Sequence, residues 1–197
     1  RNSFRRHSER RVFSAEKMIA DSARLSDIKG MFREKDIRDL TLNPFTQIGR
    51  QWMLVSAGDK NGFNTMTASW GGLGFMWNKP AAFVFVRPSR YTYEFIERND
   101  MLTLSFFDEK YRDALKICGS KSGRDCDKIA EAKLTPHFTE LGNPTFEEAG
   151  EVFECRKMYA QMLTEDSFID KSAVKTWYPD HSYHKMYILE ILRVYGM

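Results

Sequence analysis

The sequence predicts a mainly β fold, a barrel or sandwich of short strands with a few small helices inserted. Three observations carry this reading. Short apolar runs, alternating or continuous, recur between turn signals. Runs with helical period are few and brief. Strands outnumber helices along the chain, which disfavours an alternating βαβ architecture.

The segment from Met31, "MFREKDIRDLTLNPFTQIG", reads as the start of the folded part. Residues 1–30 are therefore set apart as an N-terminal extension, non-native or disordered, and residues 31–197 are taken as one domain. Arg5-Arg6 and Arg10-Arg11 precede no apolar core of the kind an export signal needs.

From Trp52 the strands follow one another. "WMLVSAG" ends at Gly58, "DKNG" (59–62) supplies turn chemistry, and "FNTMTASW" (63–70) alternates before Gly71-Gly72-Leu73-Gly74, which reads as a glycine turn. Pro80 precedes "AAFVFV" (81–86), a continuous apolar run expected of a strand covered on both faces. In "RPSRYTYEFIERND" (87–100) the period changes: Ser89 is placed to cap a helix with Tyr91, Phe95 and Ile96 on one side, ended by Asn99-Asp100.

"MLTLSFF" (101–107) is again a strand. Tyr111, Leu115 and Cys118 then recur at helical spacing, followed by a break from Gly119 to Gly123 and a second helix starting near Asp125. Beyond the Gly142-Asn143-Pro144 turn, "EVFECRKMYAQML" (151–163) alternates, placing Phe153, Cys155, Tyr159 and Leu163 on one face. "HKMYILEILRVYG" (184–196) closes the count.

Composition excludes several functions. Residues 1–30 hold 8 of the 30 basic and 4 of the 27 acidic residues, leaving 22 against 23 in the body. A near-neutral body gives no field to attract nucleic acid. No stretch approaches the ~20 apolar residues that would span a bilayer. Cys118, Cys126 and Cys155 are odd in number and lack a CxxC pair, so a reduced, cytoplasmic protein is expected. The 15 Phe, 8 Tyr and 4 Trp suit a core and can also wall a flat ligand.

Two stretches point to such a ligand. In "NTMTASW" (64–70) short hydroxyl and amide side chains let a ligand approach the backbone. The junction "VFVRPSRYT" pairs a helix N-terminus with Arg87 and Arg90 and with the hydroxyls of Ser89 and Thr92, a combination suited to a phosphate. A capped surface helix with solvated arginines would look the same. "GSKSGRDCDK" (119–128) offers Lys121, Arg124 and Lys128 beside two glycines, but it is neither a P-loop nor a dinucleotide fingerprint. His181 and His184, three apart on a strand-like segment, would face opposite ways, so no metal is expected.

Taken in order, "NTMTASWGGLGFMWNKPAAFVFVRPSRYTYEFIERNDMLTLSFFDE", "CGSKSGRDCDKIAEAKLTP" and the closing "HKMYILEILRV" closely resemble the flavin reductase-like family, FMN-binding split barrels that include flavoredoxin. The likeness runs from about Met31 to Val194. It implies an antiparallel split β-barrel with Greek-key connections, forming a homodimer with FMN near the subunit interface.

By motif, the resemblance assigns Asn64, Thr65, Met66, Thr67, Ala68, Ser69 and Trp70 to the isoalloxazine and ribityl chain, with the Thr67 and Ser69 hydroxyls near the ring edge. It assigns Arg87, Ser89, Arg90, Tyr91 and Thr92 to the phosphate end, and has Ser122 and Lys128 close over the cofactor. His184 would face the nicotinamide or the electron partner. The implied activity is NAD(P)H-dependent reduction of flavin, or passage of electrons to an acceptor. The runner-up is a flavoredoxin-type carrier, exchanging electrons with a protein partner and not itself using NAD(P)H. "KTWYPDHSYHKMY" (175–187) is longer and more aromatic than the shortest members need, and could cover the nicotinamide side.

Overall fold

The computed structural model describes residues 32–196, so the expectation for residues 1–30 lies outside the described residues. The strands are β1 (Arg33–Lys35), β2 (Met53–Asp59), β3 (Gly62–Ala68), β4 (Gly71–Met76), β5 (Lys79–Val86), β6 (Met101–Phe106), β7 (Pro136–Phe138), β8 (Pro144–Phe146), β9 (Glu151–Met162) and β10 (Lys185–Gly196). The helices are α1 (Pro44–Thr46), α2 (Tyr91–Arg98), α3 (Arg112–Ser120), α4 (Lys128–Glu131) and α5 (Lys171–Trp177).

Eight strands make one antiparallel sheet in the order β3-β2-β6-β9-β10-β5-β4, with β1 added to β10. β10 explains the split. One of its edges pairs with β9 along its length, while the other pairs with β5 over Lys185–Glu190 and with β1 over Val194–Gly196. The sheet does not close, because its path ends at β3 and β4. β7 and β8 form a separate two-stranded ribbon.

Alternation along β2 builds two cores. Met53, Val55 and Ala57 join the cluster containing Leu104, Phe153, Tyr187 and Leu189. Leu54 points the other way, into a cluster with Leu115, Cys118, Phe146 and Val152 that seats α3 against the sheet. The β2–β3 hairpin turns where the Asp59 carboxylate accepts the Asn61 N–H at 2.7 Å.

Four local expectations need correction. The glycine run is a strand, not a turn: Phe83 lies opposite Gly72, and a Cβ on Gly71 would sit 2.6 Å from the Phe83 carbonyl oxygen. The turn comes later, at Trp77 and Asn78, with φ of 52° and 59°, as a type I′ hairpin demands. The N-cap of α2 is Arg90 rather than Ser89, and its buried face is Thr92 and Ile96. The second helix begins at Lys128, with the Asp127 carboxylate accepting the Ala130 N–H.

The fourth correction concerns β9. Ile188 pairs with Tyr159 but Leu189 pairs with Lys157, so Met158 is an extra residue in the strand. A bulge of this kind shifts the side-chain phase by one. Phe153 and Cys155 are buried as expected, whereas Tyr159 turns outward and is 40% exposed.

Candidate functional site

β3 and β5 end side by side, and a cavity of about 540 Å³ lies where they exit the sheet. Met66, Thr67, Ala68, Ser69 and Trp70 line it from the β3 end, Phe85 from β5, and Arg87, Ser89 and Arg90 from the turn into α2. Trp177, the last residue of α5, and His184, just before β10, complete the wall. Segments more than a hundred residues apart in sequence thus meet at one place.

Two arginines carry the positive charge of the cavity wall. Arg87 Nη2 donates to the Trp177 carbonyl at 2.8 Å, and Arg90 Nη1 donates to the Gly119 carbonyl at 2.7 Å. Among the described residues neither guanidinium has a carboxylate within ion-pair distance. Their positive charge is held in place by neutral acceptors and remains available to a ligand.

The opposite wall is aromatic. The Trp70 ring meets Trp177 edge-on, with centroids 5.2 Å apart, and lies 5.0 Å from the His184 ring. His184 Nδ1 is 3.0 Å from the Tyr178 hydroxyl. Burial, followed by the charges of Arg87 and Arg90, lowers the His184 pKa to about 4, so this imidazole is neutral at physiological pH.

Several predicted site residues lie elsewhere. Thr65 is fully buried and accepts a hydrogen bond from Ser56 at 2.8 Å. Asn64 donates to the Thr92 hydroxyl at 3.0 Å, and both are buried. Thr92 is therefore turned from the cavity. Thr67 does line it, but its hydroxyl donates to the Leu115 carbonyl of α3, so the group expected at a ring edge is engaged.

Asn64, Tyr91 and Lys128 line a different cavity, also of about 540 Å³, against the 123–129 loop. Tyr91 carries Arg124 over its ring at 4.7 Å. The Ser122 hydroxyl accepts the Arg124 N–H within that loop. Gly123 is required there, since a Cβ would lie 2.5 Å from Asn64 Oδ1. Lys128 points to the end of α3, donating to the carbonyls of Cys118 and Lys121 at 3.2 and 3.3 Å.

His181, expected to face away from His184 along a strand, lies outside any strand and contacts Tyr183 and Glu165. Phe85 belongs to the apolar run expected to form a buried strand; its place in the wall depends on the sheet ending there. Trp177 stands in the long aromatic approach to the last strand, and that unusual composition was its signal.

The family model for the flavin reductase like domain matches residues 45–196. The chain belongs to the flavin reductase-like family. Flavoredoxin from Methanosarcina acetivorans superposes on this flavin reductase-like chain with a TM-score of 0.58 and 24% identity, covering 75% of this chain and 68% of that one. An FMN-binding domain of a flavin reductases-like enzyme from Shewanella baltica OS155 gives 0.59 and 16%, covering 84% and 76%. Nitrilotriacetate monooxygenase component B from Bacillus cereus gives 0.58 and 20%, covering 81% and 79%. These likenesses establish that the flavin reductase-like chain shares their fold. No curated protein matches it.

Among the described residues no helix is long and apolar enough to cross a membrane.

Proposed function

We propose that this flavin reductase-like protein binds FMN in the cavity between β3, β5 and α5 and works as an NAD(P)H-dependent flavin oxidoreductase. One observation carries the reading: two guanidiniums without carboxylate partners among the described residues share a single cavity with an aromatic wall. A flat aromatic group joined to a phosphate matches that donor set at both ends.

Arg87, Arg90 and Ser89 would hold the phosphate, and the Ser69–Trp70 end of β3 would border the ring system. Bound there, FMN would supply the hydride-accepting chemistry. The chain's own contribution is orientation and the exclusion of water by Trp70 and Trp177. Neutral His184 offers a polar contact that adds no further positive charge beside the two arginines.

A second reading has its own observation. Trp177 packs on Trp70 and adds a second indole to the cavity wall, which favours a carrier that exchanges electrons with a protein partner and does not admit a nicotinamide. A homodimer is part of either reading, supported by Phe75 of β4, Trp77 of the β4–β5 turn, and Tyr159 and Met162 of β9, which expose apolar surface. Light scattering that returns a monomer mass would remove that part.

The test is spectroscopic. Titrating FMN into the protein should yield a bound flavin band, and Arg87→Ala with Arg90→Ala should weaken it. Anaerobic NADH or NADPH should then bleach it. Bleaching supports the reductase; no bleaching, with ready reduction by a ferredoxin-type donor, supports the carrier; no flavin binding at all defeats both.

A further inference from the structure

The end of α3 holds both halves of the cavity. A helix leaves its last carbonyls without intrahelical partners, and here those carbonyls are taken by specific groups. Gly119 O accepts from Arg90 and Cys118 O accepts from Lys128, while Leu115 O, one turn earlier, accepts from Thr67. Arg90 and Thr67 line the cavity, and Lys128 does not.

Lys128 is only 4% exposed, and no carboxylate lies within ion-pair distance of it among the described residues. Burying an ammonium group is costly unless it is satisfied. This one is satisfied by two carbonyls at the negative end of a helix, and burial lowers its pKa from the usual lysine range. It also closes the loop after α3, because its second acceptor is the carbonyl of Lys121, the C-cap residue. Gly119 adds tightness: a Cβ there would lie 3.1 Å from the Thr67 Cβ, so α3 abuts β3 directly.

We propose that Lys128 is a positioning residue: without lining the cavity, it fixes the end of α3 on which Arg90 and Thr67 are seated, and so sets the geometry of the anion subsite. This rests on the FMN reading for its ligand, and it replaces direct closure of Lys128 over the cofactor. Lys128→Met retains the aliphatic stem that fills the site but frees the Cys118 and Lys121 carbonyls. Arg90 then loses its fixed acceptor at Gly119 O.

The experiment is a double-mutant cycle on Lys128→Met and Arg90→Ala, read as the Kd for FMN and for riboflavin, which has no phosphate. Lys128→Met should weaken FMN roughly tenfold, the scale of one charge-assisted contact, and leave riboflavin unchanged. In the Arg90→Ala background it should have no further effect. An equal loss in both backgrounds would mean that Lys128 meets the ligand itself, and no loss in either would mean that it positions nothing; both overturn the proposal.

A second readout needs no flavin. The Arg90 Nη1–H resonance, the donor to Gly119 O, should be distinct in the wild-type protein and move to the position of a free guanidinium in Lys128→Met. If it does not move, the proposal fails whether or not FMN binds. If FMN does not bind but the resonance moves, the brace stands and only the FMN reading falls.

Discussion

The Arg87 guanidinium donates to the backbone carbonyl of Trp177 at 2.8 Å, tying the end of β5 to the last residue of α5. The same guanidinium lies 5.5 Å from the Tyr178 ring centroid. One residue thus joins the basic and the aromatic walls of the cavity, and a change at either should be felt at the other.

Trp177→Ala should open the aromatic wall of the cavity. The edge-on contact with Trp70 is worth about 1 kcal/mol, so stability should fall by that much while FMN dissociates faster. Stopped-flow release of flavin and a urea titration check the two effects. If that wall limits access, the variant should also be bleached faster by NADH than the parent protein.

Arg87→Ala and Arg90→Ala should each weaken FMN by roughly 10- to 100-fold, as expected for one hydrogen bond to a charged group worth about 1.5–3 kcal/mol. Riboflavin affinity should change little. Fluorescence titration with both ligands separates loss of the phosphate contact from general damage to the cavity.

His184 makes stability depend on pH. Its folded pKa of about 4 lies below the ordinary value of 6.5, so between these values the unfolded chain binds a proton that the folded chain does not. The contribution of neutral His184 is fully present above about pH 6.5 and declines as pH falls toward 4. Urea midpoints across pH 4–8 should show this slope, and His184→Gln should reduce it.

Glu154 anchors a buried network far from the cavity. It is fully buried and accepts hydrogen bonds from Asn143 Nδ2 at 2.8 Å, from the Tyr195 hydroxyl at 3.0 Å and from Thr139. Glu154→Gln keeps the shape but turns donors toward donors, and should cost about 2–3 kcal/mol. The urea unfolding free energy should register that loss, with FMN affinity unchanged.

The elements themselves were legible in the sequence because their causes are local. Alternation in "FNTMTASW", the Asp59–Gly62 turn and the change of period after Arg87 each reflect backbone geometry within a few residues. The basic junction that lines the cavity was legible for the same reason, since Arg87, Ser89 and Arg90 are neighbours in the chain. The Gly71–Met76 strand was missed because its glycines look like a turn until Phe83 is laid across them. The outward turn of Tyr159 was missed because one extra residue, Met158, reverses the phase, and only pairing with β10 reveals it.

What the sequence by itself determined was therefore the mainly β class, most strands and the presence of a basic, hydroxyl-bearing turn. The tertiary structure alone decided which residues share the cavity. His184 reaches it because β10 pairs with β5, Trp177 is tied there by Arg87, and the Lys128 ammonium is held instead by carbonyls at the end of α3. Trp52 keeps a φ of 71° with Arg112 stacked 3.3 Å above its ring, a conformation that its own preferences disfavour. Each of these depends on contacts between residues distant in the chain, whose energies no local pattern encodes.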